Sequence, residues 1–506
     1  MGFSRTTGDA NHFYFLKGAP LNAVAMTYAK VVSFAAGLLI ARVIGATQYG
    51  MFSVARNVLD CCIIVTPLGL DYALLRHLGS APDELSTRLR QLTFFRIVTL
   101  GVAIVPPALI VAGLGDYVEQ SIYRYPDFAK ILLVTLIALP FATDIAVLGG
   151  AYRGILNPAP SILANYVVQP TVRLTIMGLL FVLGFRLWAV VVATSISYVV
   201  SWLMLALLAQ KDMTASKPPD RQDWADIRHV FAFSLTLAAT GAFATWIRSA
   251  DSLFLGHFGT SKDVGQYAAI LMVAQLISLV AEALGQTLGT RIALHFRNND
   301  LMAMENLLAE YARRTAILSA PIFAVVLFWG DRIDLVLGPS FVVDFLVIAL
   351  VAAKMFLQTI FGSSGYALSM TGWHFRETVL LGCGFLFSLL LCLILVPRYG
   401  QTGAALASFA TLSTIHLVRY AVVRTMFRIR IVGISVAATT ALAVTTSAIP
   451  YFLMSPFSDR TLPSTLLQAT ISIALYAGLA WPLLFTSQDR AVVSSLLGAF
   501  LRHRRL

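Results

Sequence analysis

A chain of 506 residues that is 58% hydrophobic and 12% charged leaves no room for a large soluble domain, since soluble domains carry about twice that charged fraction. A mean hydropathy of +0.78 places it among polytopic membrane proteins. The net charge of +12 does not point to nucleic acid, because the basic residues cluster in short loops between apolar runs, where membrane topology and anionic headgroups account for them.

The first apolar run, near Pro20 to Ala41, is too long for a signal-peptide core and ends in Arg42, so it reads as a retained span. Taking ~20 residues per span, about fourteen apolar segments follow one another. Their centres lie near Val31, Asp60, Val102, Leu136, Ile176, Thr194, Leu237, Leu276, Ile322, Ala352, Phe387, Ser408, Thr439 and Ile473. Very short turns, Gly184-Phe185-Arg186 and Arg398-Tyr399-Gly400-Gln401, join spans five to six and eleven to twelve. The expected fold class is therefore all-α, with both termini in the cytoplasm. That orientation puts Arg76, Arg88, Lys217, Arg291, Arg313, Arg314, Arg419, Arg424 and Arg502 on the cytoplasmic side. The opposite loops hold mostly single charges: Arg124, Arg186, Lys262, Arg332, Arg398 and Arg460. The split of roughly 23 to 8 is the asymmetry expected of cytoplasmic loops.

A faint repeat recurs after about 215 residues, in the manner of tandem transporter halves. Ile44-Gly45 with Tyr49-Gly50-Met51-Phe52 matches Phe258-Gly259 with Val264-Gly265-Gln266-Tyr267, and Trp188-Ala189 matches Gly403-Ala404. The expected domains are an N-terminal lobe over 1–212 (spans one to six), a cytoplasmic linker over 213–228 and a C-terminal lobe over 229–428 (spans seven to twelve). Residues 429–506 hold spans thirteen and fourteen and a basic cytoplasmic tail. The linker contains Lys217-Pro218-Pro219-Asp220. Between Arg291 and Arg314 apolar residues recur at helical spacing among charges, which predicts an amphipathic helix at the cytoplasmic interface, as a connector or as a gate.

Six basic side chains fall inside apparent spans: Lys30, Arg56, Arg96, Arg173, Arg248 and Lys354. Each costs roughly 2.5–3.5 kcal/mol at a helix centre even on the lenient insertion scale. A shared watery cavity would relieve that cost, and its fixed positive charge would suit an anionic, phosphate-bearing cargo. The competing reading is structural. Arg56 has Asp60 four residues on and Arg248 has Asp251 three residues on, so either can be an intrahelical ion pair; Arg96 and Arg173 can snorkel from helix ends. Acids inside spans are Asp60, Asp144, Asp251 and Glu282. Asp251, Glu282 and Asp60 are the coupling-ion candidates, with a salt-bridge role as the alternative.

No catalytic or metal signature stands out. Cys61, Cys62, Cys383 and Cys392 lie in apolar segments without CxxC spacing and read as packing residues; the histidines are scattered, and no Walker loop occurs. No cofactor and no metal are expected, and the chain does not read as an enzyme.

Three local patterns resemble polysaccharide-export flippases of the multidrug/oligosaccharidyl-lipid/polysaccharide exporter superfamily. They are Leu39-Ile40-Ala41-Arg42-Val43-Ile44-Gly45 with Gln48-Tyr49-Gly50-Met51-Phe52, then Leu68-Gly69-Leu70-Asp71-Tyr72-Ala73-Leu74-Leu75-Arg76, and Asp251-Ser252-Leu253-Phe254-Leu255-Gly256 with Val264-Gly265-Gln266-Tyr267. Pro397-Arg398-Tyr399-Gly400 with Gly403-Ala404-Ala405 is similar to the family's link into span twelve. The resemblance implies two six-helix lobes in a V-shaped bundle, with two extra C-terminal helices similar to those of the lipid II flippase branch. It also implies alternating-access transfer of an undecaprenyl-diphosphate-linked oligosaccharide across the bacterial inner membrane, beside a polysaccharide polymerase and export machinery. Spans one, two and seven line the central cavity in that family, which makes Lys30, Arg56 and Arg248 the leading anion ligands, with Lys354 beside them. The alternatives are the lipid II flippase branch, a drug or cation exporter, and a glycan polymerase or ligase. A cation exporter should favour an acidic cavity. A polymerase or ligase needs a sizeable external loop, and the longest here is about Gly113 to Asp127.

Overall fold

The computed structural model describes residues 7–79, 85–213, 223–285, 288–429, 431, 433–454, 460–487 and 489–490. The centre of the expected linker, with Lys217, and the basic tail, with Arg502, lie outside the described residues. All regular structure within them is helical. In chain order the α-helices are α1 (Thr7–Ile63), α2 (Leu70–Gly79), α3 (Leu85–Leu109), α4 (Gly115–Tyr117), α5 (Phe128–Leu136), α6 (Leu139–Gly154), α7 (Ala159–Leu163), α8 (Gln169–Val182), α9 (Leu187–Asp212) and α10 (Asp223–Phe258). They continue as α11 (Ser261–Ala274), α12 (Leu279–Gly285), α13 (Leu288–Arg297), α14 (Leu301–Trp329), α15 (Asp334–Leu337), α16 (Phe345–Phe361), α17 (Ser363–Met370), α18 (His374–Phe427), α19 (Ile434–Met454) and α20 (Leu462–Leu483).

Among the described residues nine helices are long and apolar enough to cross a membrane, or ten if the bent pair α16 and α17 is one span. The expected fourteen is not reached by that measure. Part of the difference lies in two helices far longer than a bilayer needs. Within α1 the chain breaks at Gly45 (φ 74°, ψ 171°), and within α18 it breaks at Gly400 (φ 54°). Both angles fall where only glycine sits without strain. These are the points at which the sequence separates spans one from two and eleven from twelve.

Two expectations are corrected. The segment Arg291 to Arg314 is not one interfacial helix: α13 ends at Arg297, the chain turns through Asn299 (φ 55°), and Asp300 caps the start of α14 by accepting from the Ala303 amide at 2.9 Å. Arg313 and Arg314 thus belong to the long helix α14. The supposed outward loop from Gly113 is mostly helical: the chain breaks at Gly113 (φ 110°), runs helically to Tyr123 and turns again between Arg124 and Asp127, both left-handed.

The chain forms two compact units that do not follow chain order: residues 1–269 with 375–411, and residues 270–374 with 412–506. In the first, α2 and α3 pack on α6, α8 packs on α9, and α1 meets α10. Leu70, Leu74, Phe95, Leu148, Tyr152 and Leu205 fill its core. Apolar burial does not hold helices together in lipid, so close backbone approach has to. The two repeat copies supply it. A Cβ at Gly50 would lie 1.7 Å from the Ser261 carbonyl oxygen, and one at Gly265 would lie 1.9 Å from that of Ala46. Each glycine therefore sits against the carbonyl four residues before the other.

In the second unit α14 is the central helix, packed on α16, α19 and α20. Its end carries a buried polar knot: the Trp329 indole donates to Gln468 Oε1 at 2.9 Å, and Arg332 Nη1 donates to Thr465 Oγ1 at 3.1 Å and to Gln468 at 3.3 Å. Arg332, in the short turn after α14, is only 6% exposed; its guanidinium ties that turn to α20 beneath the Tyr451 ring. Midway along α14, Arg313 Nη2 donates to Asp489 at 2.7 Å and Arg314 Nε donates to it at 3.0 Å. Burial pushes the Asp489 carboxyl up, but hydrogen bonds from Arg313 and Thr486 and the Arg313 charge outweigh it and hold the group at about 2.

Two outcomes are expected. Gly265→Val should lower thermal stability by about 1–3 kcal/mol or more, because backbone cannot yield as a side chain does. Gly101→Ala, in open space, should leave stability unchanged or raise it by up to about 1 kcal/mol; melting of the detergent-purified variants measures both. Asp489→Asn should cost about 1.5–3 kcal/mol. Because the folded value lies below the ordinary carboxylate value of 3.8, this contribution is full above that value and is lost as pH falls through about 2. The difference between wild type and Asp489→Asn should accordingly be flat from pH 5 to 8 in hydrogen-exchange protection of the end of α20.

Candidate functional site

The in-span charges of the first unit divide into two groups. The first is closed. Arg96 on α3 donates through Nε to Asp144 Oδ1 at 2.8 Å and through Nη2 to Oδ2 at 2.7 Å, and the Trp202 indole adds a third donor to Oδ2 at 2.7 Å. Asp144 is wholly buried. A carboxylate so enclosed, gripped by a two-pronged guanidinium and an indole, holds α3, α6 and α9 together. Arg96 is thus a structural partner of Asp144 rather than the snorkelling side chain expected, a pairing that spacing along one helix could not reveal.

The second group is open. Arg56, on the second half of α1, donates through Nε to Asp60 at 3.1 Å, one turn further on, and through Nη2 to Tyr198 Oη at 3.2 Å. Its guanidinium lies 5.7 Å from the centre of the Tyr198 ring. Arg173, on α8, donates through Nη2 to Ser33 Oγ on the first half of α1 at 3.0 Å. Just below, Tyr28 and Thr171 share a hydrogen bond of 2.9 Å. The Arg56 and Asp60 charges both reach Arg173. Two guanidiniums therefore gather around a single described carboxylate. Arg56 Nη1 and Arg173 Nε are shielded from solvent, yet neither has a hydrogen-bond partner among the described residues. An orphaned, charged donor in a low-dielectric setting is costly, and an oxyanion is the natural acceptor for such a donor. Asp60 is 40% exposed and holds Arg56 in position. Tyr198, Ser33 and Thr171 were not singled out from the sequence; nothing in their spacing on α9, α1 and α8 marks them.

The other expected site residues are more scattered. Lys30 is half-buried on α1. Arg248 is exposed on α10 and donates to Thr245 Oγ1 at 3.2 Å; its charge and that of Asp60 both reach Cys61, and the neighbouring Trp246 indole donates to the Cys61 carbonyl at 3.4 Å. Asp251 is 1% exposed; its carboxylate accepts from Tyr267 Oη at 2.8 Å and from the Ser252 amide at 2.7 Å. Lys354 and Glu282 belong to the second unit. Lys354 is buried on α16, and Glu282 is half-buried and accepts from Ser278 Oγ at 3.2 Å. All four cysteines are free thiols. No group of three or more His, Cys, Asp or Glu that could hold a metal occurs among the described residues.

The closed and open groups should respond differently to neutralisation. Asp144→Asn leaves Arg96 without its counter-charge and should cost about 3–5 kcal/mol, seen as a large fall in melting temperature. Asp60→Asn, at a half-open pair, should cost no more than about 1 kcal/mol.

Comparison with known proteins agrees with this architecture. The chain is 26% identical over 390 residues to the probable low-salt glycan biosynthesis flippase Agl15 of Haloferax volcanii, covering 74% of this chain and 77% of that protein. Its fold is that of the lipid II flippase MurJ in an inward closed conformation, with a TM-score of 0.70 at 13% identity, covering 92% of this chain and 100% of the other. An inward-facing multidrug resistance MATE transporter of the MOP superfamily is also similar, with a TM-score of 0.61 at 13% identity over 81% and 98% of the two chains. The model of the polysaccharide biosynthesis protein family matches residues 15–288, more than half of the sequence. This multi-pass membrane protein belongs to the polysaccharide biosynthesis protein family.

Proposed function

We propose that the protein is a flippase that moves an undecaprenyl-diphosphate-linked oligosaccharide across the bacterial inner membrane by alternating access, for surface polysaccharide synthesis. The observation that carries this reading is the pair of guanidiniums, Arg56 and Arg173, with unsatisfied donors inside a helical membrane unit. A diphosphate offers the matching acceptors, and arginine's planar fork suits phosphate oxygens. The similarity to a glycan biosynthesis flippase supports the cargo class, and the fold supports transport rather than catalysis. Lys30 and Arg248 are further anion ligands in this reading, and Lys354 of the second unit is another candidate.

Two six-helix lobes would rock about the cargo, with both termini in the cytoplasm and the polyprenyl tail left in lipid. A polysaccharide polymerase and export machinery would take the glycan onward. Asp251 is the first candidate for a coupling ion, because a buried carboxylate held by a tyrosine hydroxyl can exchange that hydrogen bond for a proton or a cation. Glu282 and Asp60 are the others; Asp60 would be released when the cargo takes over Arg56.

In a strain lacking the native protein, Arg56→Ala and Arg173→Ala should each abolish surface glycan at unchanged protein level. Losing one buried, charge-assisted contact costs about 1.5–3 kcal/mol. Lysine at either position should restore part of the export, since the charge returns without the fork. Arg248→Ala should be weaker in effect. Wild-type surface glycan in the Arg56→Ala/Arg173→Ala double variant would remove the assignment.

A further inference from the structure

A second polar site lies in the same unit. A cavity of about 560 Å³ opens among the start of α1, α2, the end of α6 and the α7–α8 segment, within the roughly 300–1,000 Å³ of small-molecule sites. Its polar lining is Asn22, Asp71, Arg153, Ser161, Asn165 and Tyr166. We propose that this pocket seats sugar residues of the cargo glycan, while Arg56 and Arg173 hold the diphosphate. The proposal rests on the flippase reading above.

The cavity exists because glycines let α6 run against α2. A Cβ at Gly150 would lie 2.3 Å from the Asp71 carbonyl oxygen, and one at Gly154 would lie 2.8 Å from that of Leu74. This is small-residue packing at a four-residue interval, and it sets Arg153 beside Asp71. Arg153 Nη2 donates to the Asp71 carbonyl at 3.3 Å, Nε donates to the Gly149 carbonyl at 3.2 Å, and the guanidinium lies over the Tyr72 ring at 5.8 Å. Across the cavity Asn165 donates to the Ser161 carbonyl at 3.0 Å. Asn165 and Tyr166 sit in a π-helical turn, Ala164–Val168, a distortion that recurs at functional sites.

The chemistry differs from that of the arginine pair. One guanidinium is offset by one carboxylate, so the pocket has no excess charge for a phosphate, and Asp71 would repel one. What remains is a mixture of donors and acceptors: two amides, a hydroxyl, a phenol, a carboxylate and a guanidinium. A sugar hydroxyl both donates and accepts, and a polyhydroxylated ring can engage all of these groups.

The placement fits a single cargo. Tyr28 on α1 meets Thr171 on α8, and Asn22 and Asn165 each precede that pair by six residues. The two segments therefore run side by side, with the cavity at one level and the arginines at another. About two helical turns, roughly 11 Å along the axes, separate Asn165 from Arg173. That is a span over which the first sugars can follow a diphosphate.

The test uses full-length protein in nanodiscs and two probes: the lipid-linked glycan extracted from the host, and synthetic undecaprenyl diphosphate without sugar. Wild type should bind the glycosylated lipid at least tenfold more tightly. Asn165→Leu and, at constant size, Asp71→Asn should each erase that advantage while leaving the sugar-free affinity within twofold; Arg173→Ala should weaken both probes. Equal wild-type affinity for the two probes, or a full advantage retained in folded Asn165→Leu and Asp71→Asn, overturns the sugar pocket and leaves the flippase reading standing. Failure of wild type to bind either probe overturns the flippase reading itself.

Discussion

An ion inside a membrane protein must be paired or put to use, because hydrocarbon offers it nothing. That constraint organises the first unit. Asp144 collects three donors from α3 and α9 and closes its account within the fold. Around Arg56 and Arg173 the balance is left open among the described residues: two cations, one half-exposed carboxylate and two donors without acceptors. A structure built only for stability would have completed that set with a second carboxylate. Leaving it incomplete costs stability, which the proposed anionic cargo would offset on binding.

A second constraint shapes the scaffold. Helices in lipid gain little from apolar contact with one another, so the architecture leans on places where backbones touch. Gly50 and Gly265 make such a contact between the two copies of the internal repeat, each seated on the carbonyl of the other's preceding turn. Gly150 and Gly154 make another between α6 and α2. The first joins the start of span two to the start of span eight. The second holds Asp71 and Arg153 at the mouth of the polar cavity. Small residues thus fix where these polar side chains stand.

The second unit uses polar ties where the first uses glycines. Arg332, Trp329, Gln468 and Thr465 pin the end of α14 to α20, and Asp489, just beyond α20, grips the middle of α14 through Arg313 and Arg314. α20 is therefore fastened to that central helix near both of its own ends. Charges that looked like topology markers in the sequence serve as fasteners here.

Hydropathy alone determines the class of this protein, because ~20 apolar residues per crossing is set by bilayer thickness. The breaks at Gly45 and Gly400 were legible for a similar reason: only glycine takes a left-handed angle freely. Pairs on one helix, such as Arg56 with Asp60, follow from the 3.6-residue turn. The partners of Arg96, Arg173 and Arg332 could not be read in the same way. Asp144, Ser33 and Gln468 come from other helices, and which faces meet depends on how the helices rotate and approach one another. A period along the sequence does not encode that rotation. The sequence therefore determined that this is a helical membrane protein with cations in its spans; the tertiary structure alone decided which of those cations are closed into ion pairs and which keep donors without a partner among the described residues.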